Sequence, residues 1–448
     1  MQKKLFGTDG IRGTANRHPM TPEMALAIGK AVAKVFRKRN GHMHKIVIGK
    51  DTRLSGYMIE TALTSGIVSA GVNVFLVGPL PTPAIAHLTR SMNADAGIVI
   101  SASHNPAHDN GIKIFDSRGR KLSDSIEQEI ENEIFSAEKK ENEHGIGKAY
   151  RINDAVGRYI EFAKASISNQ SLEGLKVVLD CANGAAYKTA PTIISELGAN
   201  VSVFHNSPNG TNINENCGAL YPKVIQEEVK KQKADIGIAL DGDADRVIVC
   251  DEKGEIVDGD QIMAICAIEL KKQKRLPKNT VVATVMSNKG FFDAMKENGI
   301  EIITTRVGDR FVLEKMKEHQ IALGGEQSGH IVFFDYSTTG DGIITALQLL
   351  ALIKNSGKKI SQLAKCMKKY PQVLVNVKVK ERKPIVQIDS VSKKIADAEK
   401  ILGEQGRVFV RYSGTENICR VMVEGKNQHE IKQIADGIAM QVKKEIGE

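Results

Sequence analysis

Asp241, Asp243 and Asp245 stand two residues apart directly after the apolar run Ala234-Asp235-Ile236-Gly237-Ile238-Ala239-Leu240. In extended backbone their carboxylates point to one side and can converge on a hard cation such as Mg²⁺. Alternating aspartates also open an EF-hand loop, and Glu252 falls at its twelfth position. Arg246 occupies the sixth position, where that loop needs Gly, and the flanks read as strands rather than helices, which argues against an EF-hand; a turn with solvated acids is the plainer alternative. Three carboxylates leave the shell of one Mg²⁺ per chain incomplete, and water or a phosphate oxygen commonly fills it. Ser103, in Ser101-Ala102-Ser103-His104-Asn105-Pro106, is the candidate donor of that oxygen. Taken alone this segment reads equally as a capped turn. A serine hydrolase is the sharper rival, but a G-x-S-x-G elbow is missing, and His104 is not expected to point at its neighbour's hydroxyl.

Two further segments carry chemistry. Gly325-Glu326-Gln327-Ser328-Gly329-His330 offers an acceptor, a hydroxyl and a titratable ring, suited to sugar hydroxyls or an amine and to moving a proton near neutral pH; a Gly-rich turn with a satisfied His is the plainer reading. Arg411-Tyr412-Ser413-Gly414-Thr415-Glu416-Asn417, with Arg420 just beyond, presents two guanidinium groups, hydroxyls and turn amides, which can hold a phosphate monoester without a helix-borne P-loop. An ordinary hairpin turn is the alternative.

The elements that must position these loops alternate between strand and helix. Thr21-Pro22-Glu23 caps a helix expected to end near Gly41. The strand at 45–49, a helix at 57–70 and strands at 72–77 and 97–100 follow. The same order recurs from Leu175 to Leu240, where 234–240 resembles 94–100, and more weakly from Val281 to Leu323. Short apolar strands between helices predict buried, mainly parallel mixed sheets. In each pass the third strand delivers the most polar loop, at the carboxyl end where α/β proteins place ligands. After Pro371 the run 373–379 alternates as a half-exposed strand, followed by a helix and a strand at 407–411. The predicted domains are 1–150, 151–257 and 258–370, all α/β, and a smaller α+β domain at 371–448. The polar stretches 136–147 and 271–278 read as solvated connections.

A chain of 448 residues exceeds what one hydrophobic core organises, which agrees with several domains. Its 42% hydrophobic and 26% charged residues are those of a globular protein, and no apolar run approaches the ~20 residues a membrane span needs. With no apolar signal core after Met1, the expected place is the cytoplasm. A net charge of +9 raises the question of nucleic acid, but lysines are interspersed with acids and Trp is absent, which argues against it, and small anionic substrates explain the surplus equally well. Six cysteines without a C-x-x-C pair read as reduced, mostly buried thiols rather than a zinc or disulfide framework.

Taken together and in this order, the four loops resemble those of the α-D-phosphohexomutase superfamily, and Phe6-Gly7-Thr8-Asp9-Gly10-Ile11-Arg12-Gly13 is similar to its glucosamine branch. The resemblance spans essentially the whole chain. It implies four domains around a central cleft and interconversion of glucosamine 6-phosphate and glucosamine 1-phosphate through glucosamine 1,6-bisphosphate. That reaction would serve UDP-N-acetylglucosamine and thence peptidoglycan synthesis; the same chemistry on glucose or mannose phosphates is the alternative. It further implies phosphoserine at Ser103 and Mg²⁺ held by Asp241, Asp243, Asp245 and a phosphoserine oxygen. Arg12, Lys113 and Arg246 would surround the transferred phosphoryl group, with Lys113 and His330 as acid/base candidates. Glu326, Ser328 and His330 would read the sugar, and Arg411, Ser413, Gly414, Thr415 and Arg420 the other phosphate. The expected partner is a small phosphosugar, with neither nucleic acid nor membrane; a homodimer is compatible with it. One departure stands out: Ala244 occupies a position usually Gly, and a positive φ there would cost about 1 kcal/mol.

Overall fold

The computed structural model describes residues 5–7, 9–37, 44–136, 145–413 and 417–448, in two compact units, one of 1–286 with 299–366 and one of 287–298 with 367–448.

The first unit holds three sheets built on one plan. In the first, the parallel strands Asn73–Pro79, Lys45–Lys50 and Ala96–Ile100 are followed by Asp109–Asp116, which runs antiparallel to Ala96–Ile100 and pairs on its other side with Ile11–Thr14. In the second, Asn200–Phe204, Lys176–Asp180 and Ile236–Leu240 are parallel and Val247–Asp251 turns back beside the last. The third repeats this with Glu301–Thr305, Thr280–Thr284, Leu323–Gly325 and the returning Ile331–Phe333. The mixed sheets and the repeat therefore match expectation. The polar loops differ in kind from crossovers: each joins a parallel strand to an antiparallel return, so it is the tip of a hairpin. A hairpin tip can hold several side chains in a short span because both of its ends are pinned by ladder hydrogen bonds.

Local sequence explains the elements. Ala96–Ile100, Ile236–Leu240 and Thr280–Thr284 are buried at every residue, which is why they read as continuous apolar runs instead of alternating ones. The helix Pro22–Arg37 presents Ala25, Ile28, Val32 and Val35 to the first core, one stripe at helical spacing. It leaves the described residues after Arg37, so the end expected near Gly41 lies outside them, as does most of 136–147. The helix expected at 57–70 is Ser55–Ser69. Among the described residues no helix is long and apolar enough to cross a membrane.

The second unit is an antiparallel sheet, Gln372–Lys378, Ile418–Gly425 and Gly406–Tyr412, covered by the helices Asp389–Leu402 and Gln428–Ile446. Glu424, fully buried, accepts from Arg407 Nε (2.6 Å), Lys289 N (3.0 Å) and Asn288 Nδ2 (3.3 Å), and so fastens the start of the helix Lys289–Glu297 to this sheet.

In the first unit the helices Thr82–Ser91 and Ala155–Ala165 meet through His87, whose ring stacks on Phe162 at 3.7 Å between centroids. Burial, aided by Arg90, pushes the His87 pKa down to about 4 from 6.5. Over that interval the unfolded chain takes up a proton that the folded one refuses, so stability falls as the pH falls through it. His87→Phe keeps the stack and removes the titration. Its denaturant midpoint is predicted to fall less steeply than the parent's from pH 6.5 to 4; parallel profiles would contradict this.

Candidate functional site

Ser103 and the three aspartates come together although 138 residues separate Ser103 from Asp241. Ser103 Oγ donates to Asp241 Oδ2 at 2.6 Å, and one ligand atom each from Asp241, Asp243 and Asp245 lies within 4.8 Å of the others. The aspartates do not converge through extended backbone as expected. The loop is a tight turn in which Ala244 N donates to Asp241 O (3.0 Å) and Arg246 N to Asp241 Oδ1 (3.1 Å), and Ala244 has φ +56°. The left-handed residue reverses the chain between Asp243 and Asp245 and turns both carboxylates inward. The departure at Ala244 thus does carry the strain the sequence raised, of about 1 kcal/mol.

Burial, reinforced by the charges of Asp245 and Asp243, raises the pKa of Asp241 well above the usual carboxylate range. Asp245 is equally buried, but Lys113, His330 and Arg246 overcome that and hold it well below. The Oδ1 atoms of Asp243 and Asp245 are buried without a hydrogen-bond partner. Crowded, inward-facing, under-satisfied carboxylates are the donor set a hard divalent cation requires, so these residues fit Mg²⁺.

The surrounding cations are arranged in a chain. Lys113, on Asp109–Asp116, places Nζ 2.9 Å from Asp243 Oδ2, 3.3 Å from Asp9 Oδ2 and 3.4 Å from Asp245 Oδ2. Burial alone would lower its pKa, yet these three carboxylates raise it well above the ordinary lysine value, so Lys113 is a firmly held ammonium. Asp9 also bonds Arg12 and Lys121, and Lys121 bonds Asp309. Asp309 Oδ2 lies 3.6 Å from Nε2 of His330, whose Nδ1 is 3.7 Å from Asp245 Oδ1. Burial works against a charge on His330, but Asp245 and Asp309 raise its pKa overall, while Gly340 N donates to Nε2 at 3.1 Å and favours the Nδ1–H tautomer. Lys113 and His330 are therefore joined by the sequence Asp9, Lys121, Asp309. Glu326 sits in the adjoining turn and accepts from Gly308 N at 3.0 Å; Ser328 is exposed at its tip.

His104 corrects the sequence reading. Its Nδ1 is 3.3 Å from Ser103 Oγ, reached because Ser103 is left-handed, with φ +52°. Burial together with Arg246 and Arg12 lowers the His104 pKa to about 4, so the ring is neutral at pH 7.

Sequence reasoning missed the clamp that holds this backbone. Arg53 is fully buried; its Nε donates to Asp51 Oδ2 (2.8 Å), Nη1 to Pro106 O and to Asp109 O (3.0 Å), and Nη2 to Asn105 O (2.8 Å) and Ser103 O (3.1 Å). Asp51 accepts from Ser101 Oγ (2.6 Å), which accepts from Ser103 N (2.9 Å), and Asn214 Nδ2 donates to Ser103 O (2.8 Å). The available signal was Asp51-Thr52-Arg53 directly after the parallel strand Lys45–Lys50, a charged loop at the ligand end.

In the second unit Arg411 and Arg420 are direct cross-strand partners. Burial and then the charge of Arg420 lower the Arg411 pKa. Like charges placed opposite each other are unfavourable without an anion to share, which fits a phosphate subsite. Ser413 is buried and its N–H donates to Ile418 O (2.8 Å). Gly414 and Thr415 lie outside the described residues.

Comparison with known proteins follows the same outline. The phosphoglucomutase/phosphomannomutase alpha/beta/alpha domains I, II and III match residues 3–141, 157–254 and 258–370, and the C-terminal domain of that family matches 374–441. A phosphoglucosamine mutase of Pelobacter propionicus is 57% identical, covering 100% of this chain and 99% of its own; that of Chlamydia caviae is 53% identical, covering 100% and 98%. Among solved structures, a phosphoglucomutase/phosphomannomutase family protein of Burkholderia thailandensis superposes with TM-score 0.82 at 25% identity over 98% of this chain and 97% of its own. An Aspergillus fumigatus N-acetylphosphoglucosamine mutase, in complex with GlcNAc-6P and magnesium, shares the fold at TM-score 0.69 and 18% identity, covering 99% of this chain and 96% of its own.

Removing the Arg53 guanidinium leaves Asp51 buried without its counter-charge and takes one donor from each of four loop carbonyls. Arg53→Gln is predicted to destabilise the protein by about 3–5 kcal/mol in denaturant titration. A loss below about 1 kcal/mol would show that the loop does not depend on this clamp.

Proposed function

The chain belongs to the phosphoglucomutase/phosphomannomutase family, and from that premise we propose that it interconverts glucosamine 6-phosphate and glucosamine 1-phosphate. The full-length identity to curated phosphoglucosamine mutases supports the amino sugar over glucose or mannose phosphates. The observation that carries the phosphoserine assignment is the 2.6 Å approach of Ser103 Oγ to Asp241 Oδ2, beside three carboxylates suited to a cation.

In this reading the free sugar hydroxyl attacks the phosphorus of phosphoserine 103. The bond from phosphorus to Oγ breaks as the bond to the sugar oxygen forms, and the hydroxyl proton passes to a base. The product, glucosamine 1,6-bisphosphate, turns end for end, and its other phosphoryl group returns to Ser103 Oγ. Asp241, Asp243 and Asp245, with a phosphoserine oxygen, would hold one Mg²⁺, which supplies positive charge against the phosphoryl oxygens. Arg12, Arg246 and Lys113 add fixed charge at the same place, and preorganised charge of this kind is the main lever on a loose phosphoryl transition state. Lys113, held as an ammonium, supplies fixed charge, and it and His330, which lies between Asp245 and Asp309, are the acid/base residues of this reading. Glu326 and Ser328 are assigned to the sugar, and Arg411, Ser413, Gly414, Thr415 and Arg420 to the non-reacting phosphate. The product would feed UDP-N-acetylglucosamine synthesis in the cytoplasm.

Phosphorus NMR with Mg²⁺, primed with a trace of the matching 1,6-bisphosphate, should show the 1-phosphate growing much faster from glucosamine 6-phosphate than from glucose 6-phosphate. Equal rates would move the assignment to hexose phosphates, and inorganic phosphate alone would make the protein a hydrolase. Ser103→Ala should abolish turnover with an unchanged fold by circular dichroism; parent-like activity would sink the carrier assignment. Arg411→Ala should raise KM about tenfold or more, the worth of one charge-assisted hydrogen bond, with little change in melting temperature.

A further inference from the structure

Lys176–Asp180 and Asn200–Phe204 are adjacent parallel strands whose last residues, Asp180 and Phe204, are register partners. Asp180 therefore ends one strand and His205 leaves the other beside it. The chain then travels 12 residues and returns so that Gly218 N donates to Asp180 Oδ2 at 3.0 Å, which brings Cys217 to the same point. One ligand atom each from Asp180, His205 and Cys217 lies within 4.8 Å of the others, and His205 Nδ1 is 3.1 Å from Asp180 Oδ2.

We propose that Asp180, His205 and Cys217 form a second metal site, separate from the Asp241 loop, which takes one Zn²⁺-class ion per chain with water as the fourth ligand. The donor set selects the metal. Thiolate and imidazole favour zinc-like ions and are poor ligands for Mg²⁺, whereas the all-carboxylate loop has the opposite preference. Tetrahedral bonds of about 2.0–2.3 Å place donor atoms about 3.5 Å apart, so closure from the present spacing needs only side-chain adjustment. The charges balance: one thiolate and one carboxylate neutralise a divalent ion, leaving no net charge to bury. Asp180 and Cys217 are almost wholly buried while the His205 side chain is 31% exposed, which gives the ion an entrance and the fourth ligand a place. Ala182 N and Gly218 N donate to Asp180 Oδ1 (2.8 Å) and Oδ2 (3.0 Å), orienting the carboxylate from behind as outer-shell partners of metal ligands do.

Binding breaks the S–H bond of Cys217 and forms the bond from sulfur to metal, and the proton leaves to solvent. If Nδ1 of a neutral ring is the histidine donor, its proton moves to Nε2 and one proton is released in all; a ring that starts as imidazolium releases a second. The ion would tie down the return loop, which also carries Asn214, a donor to Ser103 O and Asn105 O.

The test uses the full-length protein with saturating Mg²⁺, so that the Asp241 loop is already filled, and Co²⁺ as the probe. The parent should show a near-ultraviolet thiolate charge-transfer band that saturates at one ion per chain, is accompanied by release of at least one proton and disappears when Zn²⁺ is added. Cys217→Ser should lose the band, and Cys366→Ser, at a cysteine outside the cluster, should keep it. His205→Gln, a change at a partly exposed residue, should weaken Co²⁺ binding about tenfold or more. No band in the parent, an equal band in Cys217→Ser, or unchanged affinity in His205→Gln would each overturn the proposal; the last decides it even if Cys217→Ser does not fold.

Discussion

The constraint on which the rest of the first unit depends is the burial of carboxylates in one small volume. Asp241, Asp243 and Asp245 are at most 5% exposed, and Asp9 faces the same cations. Each charge removed from water costs several kcal/mol unless it is matched. Lys113, Lys121, Arg12 and Arg246 supply the match on the protein side, and the unsatisfied Oδ1 atoms leave room for a cation and an incoming anionic group. The opposite behaviour of Asp241 and Asp245 follows from position: Lys113 and His330 stand beside Asp245, whereas for Asp241 the charges of the other two aspartates outweigh that of Arg246. A site poised between too much negative and too much positive charge is suited to a phosphoryl group that arrives, moves and leaves.

The fold answers that constraint by repeating one device. Three times, a buried parallel strand ends in a polar tip and returns antiparallel. The first tip brings Ser103, the second the aspartates, and the third Glu326 and His330. Since both legs of each hairpin are buried in a sheet, the tips are positioned by main-chain ladders, and strain can be stored in them. Ser103 and Ala244 are both left-handed. Arg53 shows what holds such a loop in place: a single buried side chain donates to four of its carbonyls and carries a counter-charge for Asp51.

Membership of the phosphohexomutase family and the local chemistry agree, but they rest on different grounds. The family follows from similarity along the whole chain, including residues far from the site. The chemistry follows from distances, such as Ser103 Oγ to Asp241 Oδ2, and would be readable without a relative. Outside that site, the cluster of Asp180, His205 and Cys217 has a softer donor character, so two kinds of cation could be sorted within one unit by ligand chemistry alone.

By itself the sequence determined the three passes of α/β structure and the α+β tail and singled out the candidate loops, because buried strands leave continuous apolar runs and polar tips stand out against them. Ser103, the aspartates and His330 were legible as residue types in loops after strands, whereas Lys113 and Arg12, which lie within strands, were reached only through the family resemblance. Only the tertiary structure decided how they act. Spacing of two suggested convergence in extended backbone, but a left-handed Ala244 achieves it in a turn; adjacency argued against His104, but a left-handed Ser103 brings it within 3.3 Å. Asp309 and the meeting of Asp180 with Cys217 left no motif, and Arg53 left only a charged loop after a strand, since most of their partners lie tens to hundreds of residues away. Charge compensation and ligand geometry depend on distances in space, and sequence order constrains those only where a ladder or a turn fixes them.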